Sequence, residues 1–298
     1  MKKVLVLLST YNGEKYLIEQ IKSIFSQEDV DVYCLVRDDG STDNTITLLN
    51  DLKKIYFNLE IIKGDNIGWR KSFKELILKA NNNFDYYAFA DQDDVWLKNK
   101  LIKAVEVLKN NEGEPSLYYS DAYIVDENLK IIGIKKNLEP PLKKESSISI
   151  CYGQGCTMVF NKEMRKLLLK EPSYTQVSHE HWIATVAIYL GKIFHDEYCS
   201  MYYRQHSHNV YGNRKKNKIK LLGEWLKNNK NYEDALCYKE IYYGYGDFLS
   251  KTERRILSDF DQRKKSFISR MRIIVNPNIK RYSFIGTLFL KLNIFFKK

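Results

Sequence analysis

The sequence predicts an α/β fold with a mostly parallel sheet flanked by helices, and three observations carry that expectation. Short apolar runs alternate with segments of helical spacing through roughly the first 90 residues. Polar and acidic residues gather where those apolar runs end. The basic excess is confined to the C-terminal part, which sets an appended helical extension apart from the rest.

The elements follow in order. Val4 to Leu8 is a continuous apolar run, as in a parallel strand covered on both faces, and it ends at Ser9-Thr10-Tyr11-Asn12-Gly13. Leu17, Ile18, Ile21, Ile24 and Phe25 keep helical spacing. Val32 to Val36 is a second strand ending at Arg37-Asp38-Asp39-Gly40-Ser41, and Ser41 or Asp43 can cap the helix whose face is Ile46, Leu49 and Leu52. Leu59 to Ile62 makes a third strand. Gly64 to Gly68 then turns into a helix near Ser72 to Ala80, and Tyr86 to Ala90 is the fourth strand. In such a βαβαβαβ order ligands bind at the carboxyl ends of the strands.

The fourth strand runs into Asp91-Gln92-Asp93-Asp94. Carboxylates this close repel one another, and a divalent cation is the usual reason to collect them. Mg²⁺ and Mn²⁺ take carboxylate oxygens together with substrate phosphates. An isolated Asp-x-Asp is more often a solvated turn, but here Thr10, Tyr11, Asp38, Asp39 and Asn66 fall at the same rim. No G-x-G-x-x-G follows the first strand and no G-x-x-x-x-G-K-[ST] occurs, which disfavours dinucleotide and P-loop folds.

Ser9-Thr10-Tyr11-Asn12, Asp38-Asp39-Gly40-Ser41-Thr42-Asp43, Asn66-x-Gly68 and Asp91-Gln92-Asp93-Asp94 resemble the motif series of family 2 glycosyltransferases, which have the GT-A nucleotide-sugar-binding sandwich. The likeness covers about residues 3 to 212. With Val95-Trp96, His179-Glu180-His181-Trp182 and Tyr203-Arg204-Gln205-His206, it is closest to the bacterial rhamnosyltransferase branch.

The resemblance implies a metal-dependent, inverting sugar transfer. Thr10 and Tyr11 would border the base, and Asp39 would accept from its N3–H; the other reading of Asp39 is a turn cap. Asn66 belongs to the nucleotide side, and Arg70 or Lys71 is a candidate phosphate contact or a solvated helix residue. Asp91 would contact ribose or metal, Asp93 would ligate Mn²⁺ or Mg²⁺, and Asp94 could cap a helix near Leu97. His206 is a further candidate ligand, with His208 as the alternative. Glu180, where the family more often has Asp, would be the catalytic base; it also suits the first turn of a helix. Gly155 and Cys156 would border the acceptor. Trp69, Trp96 and Trp182 are candidates for stacking on sugars or for core packing. His179 and His181 are two apart and so on different sides of a helix.

Composition fits a cytoplasmic enzyme. The five cysteines lack C-x-x-C spacing and read as reduced thiols. No stretch reaches the ~18 apolar residues of a membrane span. Of the net +11, residues 1–212 hold 27 basic and 29 acidic side chains, and 213–298 hold 21 and 8. That shift predicts a catalytic domain over 1–212 and a basic helical extension over 213–298. A basic groove for nucleic acid is disfavoured, because the excess is confined to the extension. Interleaved basic and apolar residues there fit an anionic membrane surface, with packing on the catalytic domain as the rival. The donor suggested is dTDP-L-rhamnose, with UDP-hexoses using nearly the same motifs, and the acceptor a saccharide or lipid-linked saccharide. A non-catalytic nucleotide-sugar or carbohydrate-binding module is the competing class.

Overall fold

The computed structural model describes residues 1–170, 177–206 and 236–296. Four parallel strands form one half of the sheet: β1 (Lys2–Thr10), β2 (Val30–Asp38), β3 (Leu59–Lys63) and β4 (Tyr86–Ala90), in the order β3-β2-β1-β4. Alternation along β1 decides the packing. Leu5 and Leu7 enter the core on one face, while Val4, Val6 and Leu8 enter the core on the other. Helices α1 (Leu17–Phe25), α2 (Thr45–Ile55) and α4 (Lys100–Leu108) cover the second face, and α3 (Trp69–Lys79) the first. The apolar run of β1 is thus buried twice over, as its sequence requires.

The chain leaves β1 for β2 on one side and returns to β4 on the other. This reversal opens a crevice between the carboxyl ends of β1 and β4, where the polar motifs lie. Beyond β4 the sheet becomes mixed. It continues through β8 (Val159–Asn161), β6 (Ser116–Val125), β9 (Lys192–Arg204) and the two-residue β5 (Val95–Trp96), with β7 (Ile131–Lys135) paired to β6. The short helix α5 (Lys162–Leu168) follows β8. Helix α6 (His179–Leu190) is buried at nearly every position, so it serves as a central core helix rather than an amphipathic cover. Ser178 caps it by accepting from the His181 N–H.

Several local expectations shift. The helix after Asp94 begins at Lys100 with Asn99 at its cap, and Asp94 instead accepts from the Arg204 N–H at 3.1 Å. Helix α2 has Asn44 at its cap, with Asp43 accepting from the Thr45 N–H.

The extension contains α7 (Lys239–Tyr245), α8 (Lys251–Gln262), α9 (Phe267–Val275) and α10 (Phe284–Phe296). The expected boundary near 213 lies outside the described residues. Ile241, Leu257, Phe260, Ile273, Ile279, Leu290 and Ile294 join the core that holds Trp182 and Ile183. The Cys237 N–H donates to Ile148 O at 2.8 Å, and Lys144 pairs with Glu253 at 2.7 Å. The packing therefore uses Ile279, Leu290 and Ile294, whereas Phe284 and Leu288 face outward, with Phe284 84% exposed. Among the described residues, no helix is long and apolar enough to cross a membrane.

Candidate active site

A cleft of about 1170 Å³ opens at the carboxyl ends of β1 and β4. One wall is the loop after β1, and Gln92 organises it. Its Oε1 accepts from Thr10 Oγ1 at 2.6 Å and from the Tyr11 N–H at 2.8 Å, and its Nε2 donates to Tyr11 O at 3.1 Å. Gly13 has no room for a side chain, because a Cβ would collide with that same Gln92 oxygen. Thr10 is therefore buried and committed to Gln92, while Tyr11 lines the cleft and is 45% exposed.

Asp39 lies beneath this wall, 2% exposed. It forms an ion pair with Arg37 and accepts from the N–H groups of Ile67 (2.9 Å) and Gly68 (2.8 Å). A buried carboxylate needs such partners to remain charged. The turn cap that competed for Asp39 falls to Asp38, which accepts from the Ser41 N–H and hydroxyl. Asn66 lines the cleft, whereas Lys71 is exposed and lies off its wall.

The floor is acidic. Asp91 and Asp93 line the cleft; Asp94 is buried behind them. Ligand atoms of Asp91, Asp94 and Cys156 lie within 4.8 Å of one another, and Asp94 Oδ2 is buried with no hydrogen-bond partner among the described residues. Burial pushes the Asp91 carboxyl up to about 7, helped by the charges of Asp93 and Glu180. Asp94 is also raised, by burial first and then by Asp93 and Asp91. Strand β9 is long enough to deliver Arg204 and His206 to this floor. Arg204 Nε donates to Asp93 O at 2.9 Å, and His206 Nε2 lies 2.7 Å from Asp93 Oδ2. His208 lies outside the described residues.

The opposite wall comes from α6 and the loop before β8. Glu180 is in the first turn of α6, and its Oε2 is buried with no hydrogen-bond partner among the described residues, 3.2 Å from His179 Nδ1. Burial depresses the His179 pKa and so favours neutral imidazole. That ring stacks on Phe73 at 3.9 Å and meets the edge of Phe89 at 4.6 Å. His181 points elsewhere, to Ser147 O at 2.7 Å, and burial lowers it to about 4. Gly155 lines the cleft where an added Cβ would stand 2.6 Å from His179 Nε2. Gly155→Ala is therefore expected to push His179, and Glu180 beside it, off position. Activity should fall about tenfold or more with little change in melting temperature; an unchanged rate would show that the loop accommodates the methyl group.

Cys156 is buried and does not line the cleft. Trp182 is 2% exposed and packed in the core, and Trp96 is buried over the Lys100 amine, so neither ring is available to a sugar. Trp69 does line the cleft. Four participants escaped sequence reasoning: Gln92, Arg37, His179 as the neighbour of the Glu180 carboxylate, and Tyr282 from the extension. Gln92 had a signal, since it sits inside the acidic motif. Arg37 and His179 act on residues close in sequence, but their burial in the fold is not written there; Tyr282 depends on a contact 131 residues away.

Known proteins are similar to this chain in sequence and fold. The family model described as "Glycosyl transferase family 2" matches residues 5–168. A dTDP-rhamnosyl transferase, RfbG, of Shigella flexneri is 31% identical over 241 residues, covering 76% of this chain and 80% of that protein. The Escherichia coli protein WfaP, a UDP-Glc:alpha-D-GlcNAc-diphosphoundecaprenol beta-1,3-glucosyltransferase, is 22% identical over 74% of this chain and 84% of its own. Among solved structures, S. aureus TarS 1-349 in complex with UDP-GlcNAc superposes with a TM-score of 0.59 at 15% identity, over 92% of this chain and 76% of that one. The chain belongs to glycosyltransferase family 2, has the GT-A fold, and is a glycosyltransferase.

Proposed function

We propose that the protein is an inverting, metal-dependent transferase that moves a sugar, L-rhamnose from dTDP-rhamnose, onto a lipid-linked saccharide in bacterial surface-polysaccharide synthesis. The observation that carries this is the placement of Glu180 across one cleft from Asp91 and Asp93. The similarity to RfbG favours rhamnose. The likeness to WfaP and TarS keeps a UDP-hexose as the second reading.

In this reading the nucleoside lies along the β1 wall. The Tyr11 ring offers a stacking face, and Asp39 retains acceptor capacity for the base N3–H beyond its three present donors. The acidic floor fits a hard divalent cation: Asp91 and Asp93, with His206 beside Asp93, provide oxygen and imidazole donors. Bound there, Mn²⁺ or Mg²⁺ would neutralise charge on the departing diphosphate. Glu180 takes the proton from the acceptor hydroxyl as that oxygen bonds to the anomeric carbon. The bond from that carbon to the diphosphate oxygen breaks, and the nucleoside diphosphate leaves with the electron pair, inverting the anomeric centre. Glu180 Oε2, which has no hydrogen-bond partner among the described residues, supports this role, since it is open to accept a proton.

Attachment to the inner face of the cell membrane is part of the proposal. Phe267, Ile268, Val275, Phe284 and Ile285 are exposed apolar residues on α9 and α10, interspersed with Arg270, Arg272, Lys280 and Arg281.

A panel of dTDP- and UDP-sugars, read by nucleotide release, tests the donor; turnover of UDP-hexoses alone would remove rhamnose. Chelation with EDTA is expected to abolish turnover, with Mn²⁺ or Mg²⁺ restoring it. Asp93→Asn should fold normally and lose most activity. Full turnover in EDTA would overturn the metal assignment.

A further inference from the structure

We infer that the C-terminal extension forms part of the acceptor subsite, with the Tyr282 ring as the surface on which the acceptor sugar stacks. The inference rests on the transferase reading above, with Glu180 as base.

Tyr282 lines the same cleft as Glu180 and Asp91, yet it comes from the segment joining α9 to α10. It is 62% exposed, and its hydroxyl donates to Cys151 O at 2.6 Å. An exposed tyrosine tied at its tip presents a ring whose position is already set, so little rotamer freedom is lost when a ligand covers it. The segment carrying it is also anchored. Ile279 is buried in the core, Ser149 Oγ donates to Lys280 O at 2.6 Å, and the Arg281 N–H donates to Thr287 Oγ1 at 2.9 Å.

Its position separates acceptor from donor. Cys151 borders the cleft in the same loop as Gly155, where an added Cβ would stand 3.6 Å from the Glu180 Cβ, so this wall adjoins the base. In a single displacement the nucleophilic hydroxyl approaches the anomeric carbon opposite the diphosphate, where the base must stand. A ring on the base side therefore meets the acceptor. The C–H face of a pyranose is apolar and packs on an aromatic face, and ligand sites are built from such rings beside a few polar groups. Phe284, Ile285 and Leu288 follow at once in α10 and are exposed. A saccharide joined through diphosphate to a lipid can thus leave the cleft past Tyr282 onto an apolar surface, and that is the occupant we assign.

The test uses the full chain and its Tyr282→Ala, Tyr282→Phe and Tyr282→Trp variants. Probes are GlcNAc, glucose, galactose and rhamnose joined through diphosphate to an undecyl chain, with the matching methyl glycosides. The wild type is expected to use at least one undecyl probe better than its methyl glycoside. Tyr282→Ala should raise the KM for that probe about tenfold, with donor KM within about twofold and melting temperature unchanged. Phe and Trp should hold KM within about threefold of wild type, because the ring is kept. An unaltered KM in the alanine variant would overturn the inference. So would a loss in Phe equal to that in Ala, since the Cys151 hydrogen bond rather than the ring would then matter. Donor hydrolysis with every undecyl probe refused overturns the assigned occupant. No nucleotide release from any donor would instead overturn the transferase reading on which the inference stands.

Discussion

Glu180→Gln is expected to lower sugar transfer at least ~10²-fold, the scale of a lost general base. The amide keeps the shape of the side chain but cannot take the acceptor proton. Donor KM should stay close to wild type, because the proposed nucleotide wall at Tyr11, Gln92 and Asp39 is untouched. Stability should change little: a carboxylate in the first turn of a helix contributes about 0.3–1 kcal/mol through the helix dipole. Steady-state kinetics with a saturating donor checks this. Wild-type transfer by the glutamine variant would hand the role to another group, and His179, 3.2 Å from the Glu180 carboxylate, would be the first to test.

Ending the chain after Asn276 is expected to unfold or aggregate the protein. The sequence suggests the opposite, a tail that can be removed while donor hydrolysis survives. The structure changes that expectation, because the cut removes Ile279, Leu290 and Ile294 from the main core. Each buried Leu or Ile truncated to Ala costs about 2–5 kcal/mol, and a domain has only about 5–15 kcal/mol in total. Leu290→Ala alone should lower the melting temperature by roughly 5–15 °C, at about 2–4 °C per kcal/mol for a chain of this size. A truncated chain that melts with the wild type would mean the extension is only docked. Vesicle binding needs a gentler variant: Phe284→Ser with Ile285→Ser removes exposed apolar surface without opening the core. It should weaken co-sedimentation with anionic vesicles while the melting curve stays put.

How much was legible in the sequence can be judged from these residues. The parallel half of the sheet was readable because β1, β2 and β4 hold continuous apolar runs that end in polar motifs, and local pattern alone specifies such strands. The meeting of Asp93 with His206 follows from β9, a 13-residue strand whose length periodicity did not reveal. The extension was harder. Helix α10 is apolar almost all round, so its sequence does not say which side packs inward. Net charge gave the composition of that surface but not the buried Leu290 and Ile294 beneath it. Trp182 shows the reverse error: a tryptophan beside a catalytic candidate suggested a sugar platform, yet α6 is central and turns that ring into the core. Asp39 is read from the sequence as an acceptor for the base or as a turn cap, and the structure adds Arg37 and two backbone N–H groups as its partners. The two N–H groups come from the loop after β3, 28 and 29 residues on, and leave no local signature.

The central claim is a single displacement at the anomeric carbon, assisted by Glu180. Its most direct test is the anomeric configuration of the transferred sugar, read by NMR coupling constants in the product of the wild-type reaction. The account predicts inversion relative to the nucleotide-sugar donor. Retention would contradict it, because a retained centre needs a second displacement or a front-face route in which Glu180 is not the base.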